Sequence, residues 1–160
     1  MISVKIRKGY SLNIEGKPSP DIRELKKPAC VAMLPEKIPF IKPRLLVKPG
    51  YTVKIGSPLF EDKRHPIIRF LSPGAGKIAT INFGPRRVVK EIVIALNNNE
   101  EALEFTSFSD KDIQSIGREK LVRAILAGGL WHLIRELPFR DIARHKIVPP
   151  AIIVNLSNKE

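Results

Sequence analysis

Cysteine is nearly absent: Cys30 is the single one in 160 residues. That excludes an internal disulfide framework and any multi-cysteine zinc or iron–sulfur site within these residues. Cys30 itself is expected to be a small buried apolar residue. Aromatics are scarce, at 6% of the chain, with one tryptophan, Trp131. Nucleic-acid binders usually add stacking aromatics, a recognisable motif or a basic helix face. The chain shows none of these, so its net charge of +12 does not make nucleic acid an expected partner. Long hydrophobic runs are missing too, and no stretch approaches the roughly 18 to 20 apolar residues of a membrane span. The opening MISVKIRKGYSLNI alternates apolar and basic residues. It lacks the continuous apolar block of a secretory signal and reads as a first strand, Ser3–Ile6, of a soluble, non-exported chain.

Catalytic patterns are also missing. His65, His132 and His145 are widely separated and lack ligands at metal-site spacing. No serine or cysteine has the strand–elbow–helix context of a nucleophile. Gly74-Ala75-Gly76-Lys77 lacks the second glycine spacing and the hydroxyl of a phosphate loop, and Lys77 is expected to open a strand. No catalytic, metal-binding or cofactor-binding residues are therefore expected, and these residues are expected to be inactive alone.

What is present is β-sheet grammar. Eleven of the fourteen prolines precede residue 86, among short β-branched segments, which rules out long helices in that half. Strands are expected at Ala29–Met33, Arg44–Val47, Ile67–Leu71, Gly76–Ile81 and, as a closing strand, Val88–Ile94. Within Val47–Ile81, Gly50, Val53, Gly56 and Leu59 recur every three residues, and turn chemistry returns at Pro73-Gly74-Ala75-Gly76. A turn followed by a strand occurs twice, at Pro49-Gly50 and at Pro73-Gly74, a weak two-fold echo. This stretch resembles half of a biotinyl/lipoyl-type barrel-sandwich domain. In carrier versions of that fold a hairpin-tip lysine bears the cofactor, and Glu61-Asp62-Lys63 superficially resembles that tip. Lys63 follows Gly50 by thirteen residues, nearer than in the lipoyl pattern, and no Met-Lys-Met signature surrounds it. A charged, solvated hairpin is the reading adopted, with a stand-alone lipoyl/biotin-like carrier or binding module as the alternative.

Charge is unevenly placed. Lys63-Arg64 and Arg86-Arg87 belong to the basic first part, whereas residues 91–110 carry Glu91, Glu100, Glu101, Glu104 and Asp110 without Lys or Arg. A basic module of this kind suits anionic lipid or acidic protein surfaces, which makes Lys63, Arg64, Arg86 and Arg87 docking candidates.

After Phe105 the periodicity becomes helical. Asp110 or Ser109 can cap a turn over Lys111–Ile116, and Leu121, Val122, Ile125 and Leu126 mark a helix over Arg118–Leu126 closed by Gly128-Gly129. Leu130–Arg135 suggests a further helical turn, stopped by Pro138, with Trp131 in the core or at a domain interface. The apolar run Ala151–Asn155 reads as a buried parallel strand. The expected fold is therefore mainly β then α/β: a barrel-sandwich hybrid domain over residues 1–104, followed by the start of a truncated α/β domain over residues 105–160.

Further stretches carry a more specific resemblance: IRKGYSLNIEGKP at 6–18, VKPGYTVKIGSPLFEDK at 47–63, SPGAGKIATINFGPRRVVKEIVIAL at 72–96, GREKLVRAILAGGLWHLIRELPFRDIA at 117–143 and AIIVN at 151–155. Together they resemble the N-terminal part of the A-subunit family of the sodium-translocating NADH:quinone reductases. The pattern GLW followed by Arg135, Pro138 and Phe139 is foreign to generic barrel-sandwich modules. Pro18–Pro43 departs from the family pattern in being more basic and proline-rich.

The resemblance implies a peripheral component on the cytoplasmic face of a bacterial inner membrane and a chain continuing beyond Glu160. It implies membrane-embedded and peripheral subunits of the same complex, and the membrane surface, as partners. NADH, flavins and iron centres would sit in other subunits. Ubiquinone is left open as a ligand of the full-length protein, with Trp131 as the quinone-proximal candidate.

Overall fold

The computed structural model describes residue 16, residues 19–24 and residues 26–154. The expected strand Ser3–Ile6 lies outside the described residues. Two antiparallel sheets form the first part of the molecule. One contains β1 (Cys30–Met33), β7 (Val89–Leu96), β6 (Gly76–Phe83) and β3 (Thr52–Val53), in that order. The other contains β2 (Pro43–Leu45), β4 (Pro58–Asp62) and β5 (His65–Leu71).

Alternation places one face of each strand inward. Val53, Ile78, Val89, Ile92 and Ile94 from the first sheet meet Leu59, Phe60, Ile68 and Phe70 from the second in one buried core. Phe60 and Phe70 stack with ring centroids 4.6 Å apart. The expected closing strand is present as β7, the last strand of the two sheets in chain order, and it pairs with β1 on one side and β6 on the other.

The two turn motifs seen in the sequence lie against each other: Thr52 pairs with Lys77 and Val53 with Gly76. Gly76 is required by close approach, since a Cβ there would collide with the Ala95 carbonyl oxygen. Lys77 lies in β6, as expected of a residue opening a strand.

The acidic segment folds back on the basic module. Leu103 N–H donates to the Ile55 carbonyl and Ile55 N–H to that of Glu101, each at 2.8 Å. Lys54 meets Glu101 at 2.9 Å and Lys27 meets Glu100 at 2.8 Å. These exposed pairs set chain path more than stability.

Beyond them come α1 (Asp110–Ser115) and α2 (Arg118–Ala127). A capping box closes the start of α1: Ser109 Oγ accepts from Asp112 N–H, and the Asp112 carboxylate accepts from Ser109 N–H at 2.9 Å. Arg118 of α2 donates to the Ile147 carbonyl at 2.8 Å. A single 3₁₀ turn follows at Trp131–Leu133, then the hairpin β8 (Arg135–Glu136) and β9 (Asp141–Ile142). The helical turn expected over Leu130–Arg135 is thus shorter, because Arg135 is drawn into pairing with Ile142.

Leu126, Trp131 and Ile142 join the same core cluster as the two sheets. This is a barrel-sandwich hybrid, mainly strand, followed by helices.

Two further expectations are corrected. Cys30 is exposed, since it begins the edge strand β1 and its side chain points off the core face. Residues 151–154 form no strand, and Ile152 and Ile153 are 81% and 77% exposed. Among the described residues no strand lies beside them to supply the ladder that a parallel strand needs.

Candidate functional site

The β4–β5 turn is built around two buried carboxylates. Asp62 is fully buried, and its Oδ1 accepts from Lys42 N–H at 3.2 Å and Arg64 N–H at 3.1 Å. Glu61, 3% exposed, accepts from Arg44 Nε at 2.7 Å and faces Arg69 at 3.9 Å. Burial of a carboxylate is tolerated when it is paired and hydrogen-bonded in this way. Both carboxylates therefore clamp the turn to the segment Phe40–Arg44. Arg64 joins the clamp, donating to the Phe40 carbonyl and reaching Asp62 Oδ2 at 3.4 Å. Lys63 projects at the exposed turn, where its backbone N–H donates to Lys42 O at 2.7 Å.

The β8–β9 hairpin faces this turn. Its Glu136 accepts from Arg144 Nε at 3.1 Å, and that hydrogen bond holds the Glu136 carboxyl below its ordinary range and the Arg144 guanidinium above its own. Between the two hairpins lies an open cleft of about 410 Å³, lined by Arg64, His65, Glu136, Phe139, Asp141 and Arg144 among others. Phe139 stands 80% exposed. The lining mixes two ion pairs, the further carboxylate of Asp141, an imidazole and an apolar wall.

Trp131 stands behind this wall and is not part of the lining. It is 6% exposed, and its indole N–H donates to the Ala143 carbonyl at 2.7 Å. His145 meets the indole edge-on at 6.4 Å. Burial chiefly, and then the charges of Lys146, His65 and Arg118, hold the His145 imidazole below its ordinary value. His132 tilts over Phe70 at 5.1 Å.

Arg86 and Arg87 lie elsewhere, at the tip of the β6–β7 hairpin. The structure thus brings Arg64 to the cleft, leaves Lys63 on its rim turn, keeps Trp131 behind it and separates Arg86 and Arg87 from it. Sequence reasoning missed Phe139, Glu136 and Arg144. Phe139 lay in the GLW–Arg135–Pro138–Phe139 pattern, whereas nothing in the sequence announced that Glu136 and Arg144 pair across a hairpin.

Among the described residues there is no group of three His, Cys, Asp or Glu side chains able to hold a metal ion. No helix of the described residues is long and apolar enough to cross a membrane.

Fold and hairpins together define a barrel-sandwich module extended by a packed helical segment. Residues 4–97 match the NqrA N-terminal barrel-sandwich hybrid domain, and the chain belongs to that family. It is similar to the A-subunit of the Na(+)-translocating NADH-quinone reductase of Serratia proteamaculans, 37% identical over 158 residues, which cover 98% of this chain and 35% of that protein. The protein of the same name from Neisseria gonorrhoeae is 38% identical over 152 residues, 95% of this chain and 34% of the relative. The one from Actinobacillus succinogenes is 36% identical over 152 residues, again 95% of this chain and 34% of the relative. The chain spans about a third of the length of these relatives.

Proposed function

We propose that this chain is the N-terminal docking part of the A-subunit in a sodium-translocating NADH:quinone reductase. It acts as a scaffold near the ubiquinone-reducing end, peripheral to the membrane on the cytoplasmic face. The observation that carries the reading is that similarity to the A-subunit relatives runs through 98% of the chain. It therefore takes in both the barrel-sandwich core and the Gly129–Phe139 turn packed on it. In this reading the 160 residues hold no redox centre; NADH, flavins and iron centres belong to other subunits of the enzyme, and the chain alone oxidises no NADH. The basic surface docks on acidic partner surfaces and on the membrane.

The test is co-expression of the tagged chain with the remaining subunits of a relative's complex, followed by affinity purification in detergent. Co-purification of membrane-embedded subunits is expected, and its absence with a folded chain contradicts the proposal. Intact mass separates the carrier alternative, which requires an added lipoyl or biotin mass on Lys63.

The cleft beside Phe139 favours a second reading, in which it receives a quinone ring directly. Phe139→Ala then weakens binding of a water-soluble ubiquinone analogue severalfold, whereas Arg86→Asn leaves it unchanged.

A further inference from the structure

The β6–β7 hairpin closes through Pro85–Val88. Val88 N–H donates to the Pro85 carbonyl at 3.3 Å and Gly84 N–H to the Val88 carbonyl at 2.8 Å. The two central residues, Arg86 and Arg87, have φ of 56° and 58°. Such a turn demands left-handed backbone twice in succession and is normally filled by Asn-Gly, Asp-Gly or Gly-Gly. Arginine there is strained, and strain retained at an exposed tip points to a use for the side chains.

Three further features surround the tip. Neither Arg86 nor Arg87 forms an ion pair among the described residues, nor do Lys90 and Lys37. Lys37 belongs to the 3₁₀ turn Pro35–Lys37 that packs on β7, and β1 runs toward this end because Met33 pairs with Ile92. The nearby acids are Glu91, whose carboxylate accepts from Asn82 at 2.7 Å, and Glu36, so the four cations still outnumber them. Lastly, Phe83 and Val88 flank the tip at 52% and 49% exposure. Arg64, the other candidate, is already held by Asp62 and Phe40.

We propose that this hairpin tip is a docking surface for an anionic lipid bilayer: Arg86 and Arg87 engage headgroup phosphates while Phe83 and Val88 enter the headgroup region. A guanidinium fork matches phosphate oxygens bidentately, and apolar side chains beside cations suit the interfacial layer. The inference rests on the membrane setting proposed above but concerns lipid rather than protein contacts.

The experiment is co-sedimentation of the 160-residue chain with vesicles of phosphatidylcholine, with and without about a third phosphatidylglycerol. Binding to the anionic vesicles alone is expected, weakening as salt rises. Arg86→Asn with Arg87→Asn keeps a residue that tolerates left-handed backbone. It should weaken binding about twenty-fivefold, at about fivefold for each cation lost near an anionic surface. Arg86→Lys with Arg87→Lys keeps the charge but loses the bidentate fork, so its binding falls between that of the unsubstituted chain and that of the double asparagine variant. Phe83→Ser weakens it without changing the salt dependence, and Lys63→Asn leaves it unaltered. Equal binding by the double asparagine variant overturns the proposal. So does absence of binding by a chain that still co-purifies with partner subunits, an outcome that leaves the docking reading standing and moves the arginines to an acidic protein surface.

Discussion

Gly129 sits so close to Leu71 that a Cβ at position 129 would lie 2.7 Å from Leu71 Cγ and 2.9 Å from Cδ1. This contact seats the turn after α2 on β5 and brings Trp131 into the core shared with the two sheets. Gly129 also has φ of 69°, so it serves both close approach and left-handed backbone.

Gly129→Ala is therefore expected to destabilise the chain by about 2–4 kcal/mol, combining left-handed strain with overpacking. Urea denaturation reads this as a lowered midpoint. A shift below about 0.5 kcal/mol contradicts the account of that seat.

Arg44→Ala leaves Glu61 buried with Arg69, at 3.9 Å, as its one cationic partner among the described residues. The expected loss is about 1–3 kcal/mol, less than for a wholly buried pair because Arg44 is half-exposed. Thermal unfolding of Arg44→Ala beside Lys63→Ala checks it; the second substitution should be nearly neutral.

Trp131→Phe keeps the ring in the core but removes the donor to Ala143 O. A cost of about 1–2 kcal/mol is expected. Since Trp131 is the sole tryptophan, its emission reports this site alone. It should be blue-shifted and poorly quenched by iodide in the native chain, and strong quenching counts against burial.

His145 sets a pH dependence. Its folded pKa lies below the ordinary 6.5, so the fold favours the neutral ring. The unfolded chain then binds the proton more readily, and stability is full above about 6.5 and declines as pH falls toward the lowered folded value. His145→Gln should flatten that decline. A wild-type Tm that rises on acidification from about pH 7 to about pH 5.5 contradicts the sign. Glu136, also depressed, adds a further loss only below its ordinary 4.5, as its carboxylate takes up a proton and releases Arg144.

Much of the sheet was legible because β-branched runs bounded by proline and glycine leave few alternatives, as at Gly76–Phe83 and Val89–Leu96. β4 escaped because Pro-Leu-Phe-Glu-Asp has no alternation, and two of its buried residues are carboxylates held by partners elsewhere in the chain. The two-residue β3 is too short to leave a pattern. Ser109 and Gly128 were readable as caps from local chemistry alone.

The cleft was not readable. It joins Arg64 to Glu136 and Arg144, and such pairing depends on how the β8–β9 hairpin docks rather than on spacing. The left-handed Arg86-Arg87 turn was equally hidden, since the sequence carries neither Asn nor Gly at those two positions.

The most direct test of the central claim replaces the matching N-terminal third of the Serratia proteamaculans A-subunit with this chain. The complex is then purified through a tag on a membrane-embedded partner. The account predicts that the chimera co-purifies stoichiometrically and that NADH:quinone reductase activity persists. A soluble, folded chimera that is missing from the purified complex would contradict it.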